Sequence, residues 1–153
     1  MKPHKTEISL KARAMQYLAR REHSRAELRA KLLPHVLESD DIEAVLDGLE
    51  QRGWLSDNRA AEMFVQQRRN RFGVHRIAED LRRKGIAEDL ISEAMPELKA
   101  SELETAREVW QRKFNAMPQD AKETARQVRF LQSRGFSLGV ALKVVRAKGS
   151  EDQ

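Results

Sequence analysis

Apolar residues recur along this chain at steps of three and four, the period of an amphipathic helix. No segment sustains the alternation of β-branched residues that a half-buried strand requires. The first stripe is Leu10, Ala14, Tyr17 and Leu18. His23-Ser24 interrupts it. Ser24 with Glu27 then makes a capping box ahead of Leu28 and Leu32, a helix that Pro34 limits. Asp40 or Asp41 caps the next helix, whose inward face is Ile42, Val45, Leu46 and Leu49. Ser56-Asp57 opens a fourth, carrying Ala60, Ala61, Phe64 and Val65 to about Arg71. After the turn Phe72-Gly73 a fifth holds Ile77 and Leu81, and Glu88 to Met95 makes a sixth that Pro96 halts. From Ser101 the residues Leu103, Ala106, Val109, Trp110 and Phe114 align. Beyond the loop Asn115-Ala116-Met117-Pro118 comes a helix from Ala121 to Arg134, then a last one capped by Ser137 and carrying Leu138, Leu142 and Val145.

Three of these helices end in one phrase, Leu-x-x-(Arg/Lys)-Gly-apolar: Leu49 to Trp54, Leu81 to Ile86 and Leu131 to Phe136. Glycine at the first non-helical position adopts the left-handed conformation freely, and the apolar residue after it folds back onto the leucine. The copies are not equivalent: Gly53 ends the third helix of its group, Gly85 and Gly135 the second of theirs. The pattern predicts an all-α chain of about nine helices in tandem three-helix repeats at 5–55, 56–98 and 99–148, with a frayed tail at 149–153. Boundaries fall at Trp54–Asp57 and Leu98–Ser101. The alternative is an ordinary all-α domain without repetition.

Composition narrows the function. The chain has 153 residues, 35% of them charged and 5% aromatic, which implies small cores and an extensively charged surface. It has no cysteine, hence no disulfide, thiolate metal site or thiol nucleophile. No apolar run approaches the roughly 20 residues of a bilayer span, and Met1 to Leu10 lacks the apolar core of a signal peptide. A cytoplasmic protein that does not engage a membrane is expected. Catalysis finds no support. His4, His23, His35 and His75 stand alone rather than at metal-ligand spacing, and the seven glycines form no phosphate loop. No cofactor is implied.

Charge carries more information. The net charge is +5, and it is segregated. Arg68, Arg69, Arg71, Arg76, Arg82, Arg83 and Lys84 are opposed within their stretch only by Glu79 and Asp80. Arg126, Arg129, Arg134, Lys143, Arg146 and Lys148 have no acid between them. Arg126 with Arg129, and Lys143 with Arg146, share helical faces off the apolar stripes, so they can follow a polyanion without disturbing a core. These thirteen residues are the candidate nucleic-acid or nucleoprotein contacts. Trp54, Phe72, Trp110, Phe114 and Phe136 read as packing residues rather than base-stacking platforms.

The ordered set of motifs is specific. Arg13-Ala14, Leu18-Ala19 and Arg21-Glu22-His23-Ser24-x-x-Glu27-Leu28-x-x-Lys31-Leu32 come first. Gly53-Trp54-Leu55-Ser56-Asp57-x-Arg59 follows, then Phe64, Arg68 and Arg69, then Gly73, Arg76-Ile77, Glu79, Leu81 and Lys84-Gly85-Ile86. Arg112-Lys113-Phe114 and Arg129-Phe130-Leu131-x-x-Arg134-Gly135-Phe136 complete it. In this order, over about residues 10–147, the chain resembles the RecX family. It departs at His75, where the family usually has proline, and at Asn115, often glycine. The resemblance implies an elongated, curved array of three-helix repeats. It also implies a non-enzymatic negative regulator that binds the RecA–DNA filament and limits its extension, ATPase, strand exchange and co-protease activities in DNA repair and the SOS response. RecA and its filament are the expected partners, DNA is bound weakly without sequence preference, and a monomer is expected. Two other readings stay open: a sequence-independent DNA-binding protein acting without RecA, and a purely protein-binding helical scaffold.

Overall fold

Side-chain caps set where most helices begin. In the computed structural model, which describes residues 8–146, the hydroxyls of Ser9, Ser24 and Ser137 and the carboxylates of Asp41 and Asp120 accept amide hydrogens from the first turns they precede. The helices are α1 (Leu10–Arg20), α2 (Arg25–Leu32), α3 (Ile42–Gln51), α4 (Asp57–Arg68), α5 (Val74–Arg83), α6 (Glu88–Lys113), α7 (Ala121–Ser133) and α8 (Leu138–Val145), with a 3-10 turn at Leu33–His35. The described residues are all-helical, without a strand.

Among the described residues eight α-helices stand where about nine were expected, because Pro96 does not halt the sixth. Helix α6 runs 26 residues through it. Proline removes one amide donor and strains the preceding turn, at a cost of about 3 kcal/mol. Apolar anchors on both sides offset that cost: Ile91 before the proline, Leu98, Ala106 and Val109 after it, all buried. The expected boundary at Leu98–Ser101 therefore lies inside a helix.

The chain divides into two compact units. The first holds the described residues up to Met63 together with Lys84–Ile86, and the second holds Phe64–Arg83 and the described residues from Ala87 onward. In the first, Leu10, Ala14, Leu28, Leu32, Leu46, Leu49 and Leu55 form the core of α1, α2 and α3. In the second, Ala106, Val109, Val128, Leu131, Phe136, Ala141, Val144 and Val145 close α6, α7 and α8 on one another. The expected tail at 149–153, His4 and Lys148 lie outside the described residues.

All three phrase glycines are left-handed, with φ of 75° at Gly53, 78° at Gly85 and 94° at Gly135. At Gly53 and Gly135 both hydrogen bonds of the Schellman motif form: Trp54 and Phe136 donate to the carbonyls of Leu49 and Leu131 at 3.0 and 3.1 Å. The expected apolar closure holds at Phe136, which shares a core with Leu131. It fails at Trp54, which is 41% exposed. Lys11 and Arg52 lie over its ring at 5.8 and 5.2 Å, and the next residue, Leu55, enters the core instead.

Two of the turns dock against earlier helix starts. The Lys84 carbonyl accepts the Ser24 hydroxyl at 2.5 Å, directly before α2. The Arg134 and Gly135 carbonyls accept the amides of Gly73 and His75 at 2.8 and 3.2 Å, at the start of α5. In both places a carboxylate takes the first helical amide: Asp57 from Arg25 at 2.7 Å, and Glu102 from Val74 at 2.9 Å. A Cβ on Gly135 would lie 2.7 Å from the Arg76 amide, and one on Gly73 would lie 2.4 Å from the Gly135 backbone. Around Gly53 a Cβ would meet nothing within 4 Å.

His23 is buried beside the start of α2. Its Nδ1 lies 3.0 Å from the Arg21 carbonyl, an acceptor, and its Nε2 lies 3.0 Å from the Lys31 ammonium, a donor. The partners thus define a neutral ring with the proton on Nδ1. Burial, then the cationic charge of Arg21 and Lys31, lowers its pKa below the usual 6.5, against the opposing pull of the Arg21 carbonyl and Glu27.

Two outcomes follow for stability. Gly53→Ala should cost about 1 to 2 kcal/mol in urea unfolding, the left-handed penalty alone, whereas Gly135→Ala should cost at least about 2 kcal/mol more because the neighbouring backbone must move. The unfolded state takes up a proton at His23 before the folded state does. The His23 contribution is therefore complete above pH 6.5 and is lost as pH falls from there toward the lowered folded value. Thermal melts between about pH 7.5 and 5.5 should show that loss, and His23→Gln should flatten it.

Candidate nucleic-acid interface

The thirteen candidate cations divide by what the fold does with them. Lys84 is a tertiary contact: its ammonium lies 3.0 Å from Glu27, whose carboxylate also accepts the Ser24 amide at 3.0 Å. Burial pushes the Glu27 carboxyl up, but the Ser24 amide and the Lys84 ammonium outweigh it and hold the pKa below the usual carboxylate value. Around them Arg21 pairs with Glu27 at 3.3 Å, and Arg59 pairs with Glu22 at 2.6 Å and donates to the Gly53 carbonyl. Arg25 meets Glu43, Asp47 and Glu50 of α3, which raises its pKa further.

Six more cations have acid partners that the charge count along the chain left out or understated. Arg69 reaches Glu97 at 3.4 Å, Arg76 reaches Asp80 at 3.3 Å, and Arg82 reaches Glu88 at 2.5 Å. Arg83 lies 3.9 Å from Glu79. Arg126 pairs with Glu123 at 2.6 Å, an acid three residues before the stretch that looked acid-free. Arg112, outside both stretches, lies 3.9 Å from Glu108. Such exposed pairs are each worth little and leave the cation able to exchange partners.

Some of these cations gather on aromatic rings in the second unit. Arg68, Arg76 and Arg134 lie over Phe72 at 5.6, 4.8 and 5.9 Å. Arg134 and Lys113 lie over Phe130 at 5.1 and 5.6 Å. The two basic stretches, far apart in sequence, therefore meet at Phe72. Arg71 and Arg134 line one open cavity of about 220 Å³ together with Val109, Arg112, Lys113 and Phe130. Arg112 and Lys113 were not among the candidate contacts. They follow the acidic run Glu102 to Glu108, so a count by contiguous stretches passed over them, although their position in the last turn of α6 marked them as cations at a helix end. Arg129, Lys143 and Arg146 are exposed and are not brought to the cavity.

Other chemistry is sparse. Among the described residues no group of three or more His, Asp or Glu could hold a metal ion, and no helix is long and apolar enough to cross a membrane. The buried amide of Gln127 is satisfied by the Trp110 indole at 2.8 Å and the Ala116 carbonyl at 3.2 Å, a packing role.

Models of the first, second and third three-helix domains of RecX match residues 11–49, 56–95 and 100–145. The chain belongs to the RecX family. Regulatory protein RecX of Leptothrix cholodnii is 50% identical over 151 residues, covering 99% of this chain and 96% of that one. Regulatory protein RecX of Ralstonia nicotianae is 47% identical over 138 residues, covering 90% and 87%. A crystal structure of regulatory protein RecX superposes with a TM-score of 0.77 at 22% identity, over 90% of this chain and 71% of that one. RecX from Lactobacillus salivarius gives 0.73 at 20%, over 90% and 93%. At that identity the structural likeness establishes a shared RecX fold.

Several residues that carried the RecX resemblance in sequence prove to be fold-holding contacts: Ser24, Glu27, Asp57, Arg59 and Lys84 bond to one another or to backbone in the first unit. Lys84→Ala should therefore lower stability by about 1 to 2 kcal/mol in chemical denaturation, because it takes the nearer of two cations from a largely buried carboxylate and leaves only Arg21. Arg83→Ala, one residue earlier and 74% exposed at its side chain, should stay within about 0.5 kcal/mol of the parent.

Proposed function

We propose that this chain is a negative regulator of RecA. It binds the RecA–DNA filament and limits its extension, ATPase, strand exchange and co-protease activities in DNA repair and the SOS response. It acts by binding and not by catalysis, in the cytoplasm, as a monomer. The observation that carries this reading is the match to all three RecX domains along one chain, with relatives named regulatory protein RecX over nearly its full length. The convergence of cations on Phe72 and Phe130 supplies a surface suited to a nucleoprotein.

On this reading the repeats at 5–55, 56–98 and 99–148 act as linked binding modules. Many modest contacts spread over successive filament subunits give avidity without a deep pocket. Arg68, Arg69, Arg71, Arg76, Arg82 and Arg83 of one stretch and Arg126, Arg129, Arg134, Lys143, Arg146 and Lys148 of the other contribute the cationic contact; Lys84 acts within the first unit, through Glu27.

The test is RecA ATPase on single-stranded DNA with this protein added below one copy per RecA. Strong inhibition well below equivalence is expected if filament extension is blocked; no inhibition at saturation would overturn the reading. Charge reversal at Arg129, Lys143 and Arg146 should weaken inhibition about tenfold or more and make what remains less sensitive to salt. The same cations favour one alternative, a DNA-binding protein that acts without RecA. Equal affinity for bare and RecA-coated DNA would select it.

A further inference from the structure

From the cavity between the end of α6, the end of α7 and the residues just after α4, we infer that this chain has a dedicated phosphate site formed by Arg71, Arg112, Lys113 and Arg134. Its ligand is the backbone of a single nucleic-acid strand. The inference deepens the proposed filament reading and rests on it only for the source of the strand.

Hydrogen-bonding capacity is the first argument. Among the described residues, none of these four side chains donates a hydrogen bond within the protein. The single ionic approach is Arg112 to Glu108, at 3.9 Å. Several cations elsewhere are spent within the protein: Arg25, Arg59, Arg82 and Arg126 all hydrogen-bond to carboxylates. A helix C-terminus attracts a cation through its dipole, which accounts for one or two of the four. It does not account for four that converge on one cavity with their donors unspent.

Positioning is the second. The Arg134 guanidinium is held over two rings, Phe130 at 5.1 Å and Phe72 at 5.9 Å, and Lys113 lies over Phe130 at 5.6 Å. Aromatic faces orient a cation without neutralising it, so the charge stays available to an anion. Val109 and Phe130 give the cavity an apolar wall, which strengthens electrostatic contacts beside it. Guanidinium forks with one compact ammonium are the donor set that grips phosphate oxygens. A protein carboxylate would neutralise one of the four charges. Consecutive phosphodiesters, each singly charged, match several cations around one cavity.

The experiment measures labelled oligothymidylate by fluorescence anisotropy between about 50 and 200 mM salt. Arg71→Glu with Lys113→Glu is compared with an equal charge change at exposed positions away from the cavity, Lys99→Glu with Lys122→Glu. Expected is a loss of more than tenfold for the cavity pair and a fall of about 1.4 in the log–log salt slope, two phosphate contacts of a single strand, against less than about threefold for the control. Equal losses in the two pairs, or no loss in the cavity pair, would overturn the site. Urea midpoints check folding, and Arg71→Gln with Lys113→Gln, which should lose less but in the same order, serves if the reversal unfolds. Millimolar inorganic phosphate or ATP is added as competitor at matched ionic strength. Failure to displace the strand supports a strand site, whereas full displacement by ATP makes a free nucleotide the source and overturns the strand. RecA ATPase separates the two readings. Wild type without effect on RecA, while the cavity pair still loses oligothymidylate, removes the filament reading and keeps the site. Cavity variants that bind and inhibit like wild type remove the site alone.

Discussion

A helix that ends on a left-handed glycine turns its last carbonyls outward, and those carbonyls must find a donor or meet water. Here they find the start of another helix. The Lys84 carbonyl takes the Ser24 hydroxyl, and the Arg134 carbonyl takes the Gly73 amide. Each docking is close enough that a methyl group at the glycine would collide: with Ala26 at 2.4 Å in one case and with the Arg76 backbone in the other. The placement of Arg134 against Phe72 in the second unit depends on this contact, and so does the approach of the Lys84 ammonium to Glu27 in the first. The third turn, at Gly53, shows the same backbone without docking: its surroundings are open and its Trp54 lies on the surface.

These joints also sort the charges. A chain with 29 basic and 24 acidic residues can pair most of them, and pairing decides which cations belong to the fold. Arg25, Arg59 and Lys84 are engaged with acids or carbonyls from distant positions, so their charge is largely consumed within the first unit. Among the described residues Arg71, Lys113 and Arg134 meet no acid, and the last two are placed by rings instead. The difference is not readable from charge type or local density, since Arg83 and Lys84 are adjacent and have opposite fates.

Much of the fold was legible because local rules act locally. The Ser24–Glu27 capping box, the Asp41 and Ser137 caps and the three left-handed glycines each depend on residues within about six positions. Pro96 was misread because a local penalty was weighed without the burial of Leu98, Ala106 and Val109 beyond it. Trp54 was misread because either of two consecutive apolar residues can close the cap, and the smaller Leu55 fits the first core. For the site, the two basic stretches were visible in sequence, but Arg112 and Lys113 were hidden behind a run of acids.

The sequence by itself determined the all-helical class, nearly every helix start, the glycine stops and the membership of the RecX family. Those properties rest on hydrogen bonds and apolar periodicity spanning one or two helical turns, or on motif order. Only the tertiary structure decided that α6 is continuous, that Lys84 is spent on Glu27, and that Arg71, Arg112, Lys113 and Arg134 surround one cavity. The reason is physical. A cation's role depends on which carboxylate, ring or carbonyl comes within a few ångströms of it, and that distance is set by packing between helices that the chain's order does not encode locally.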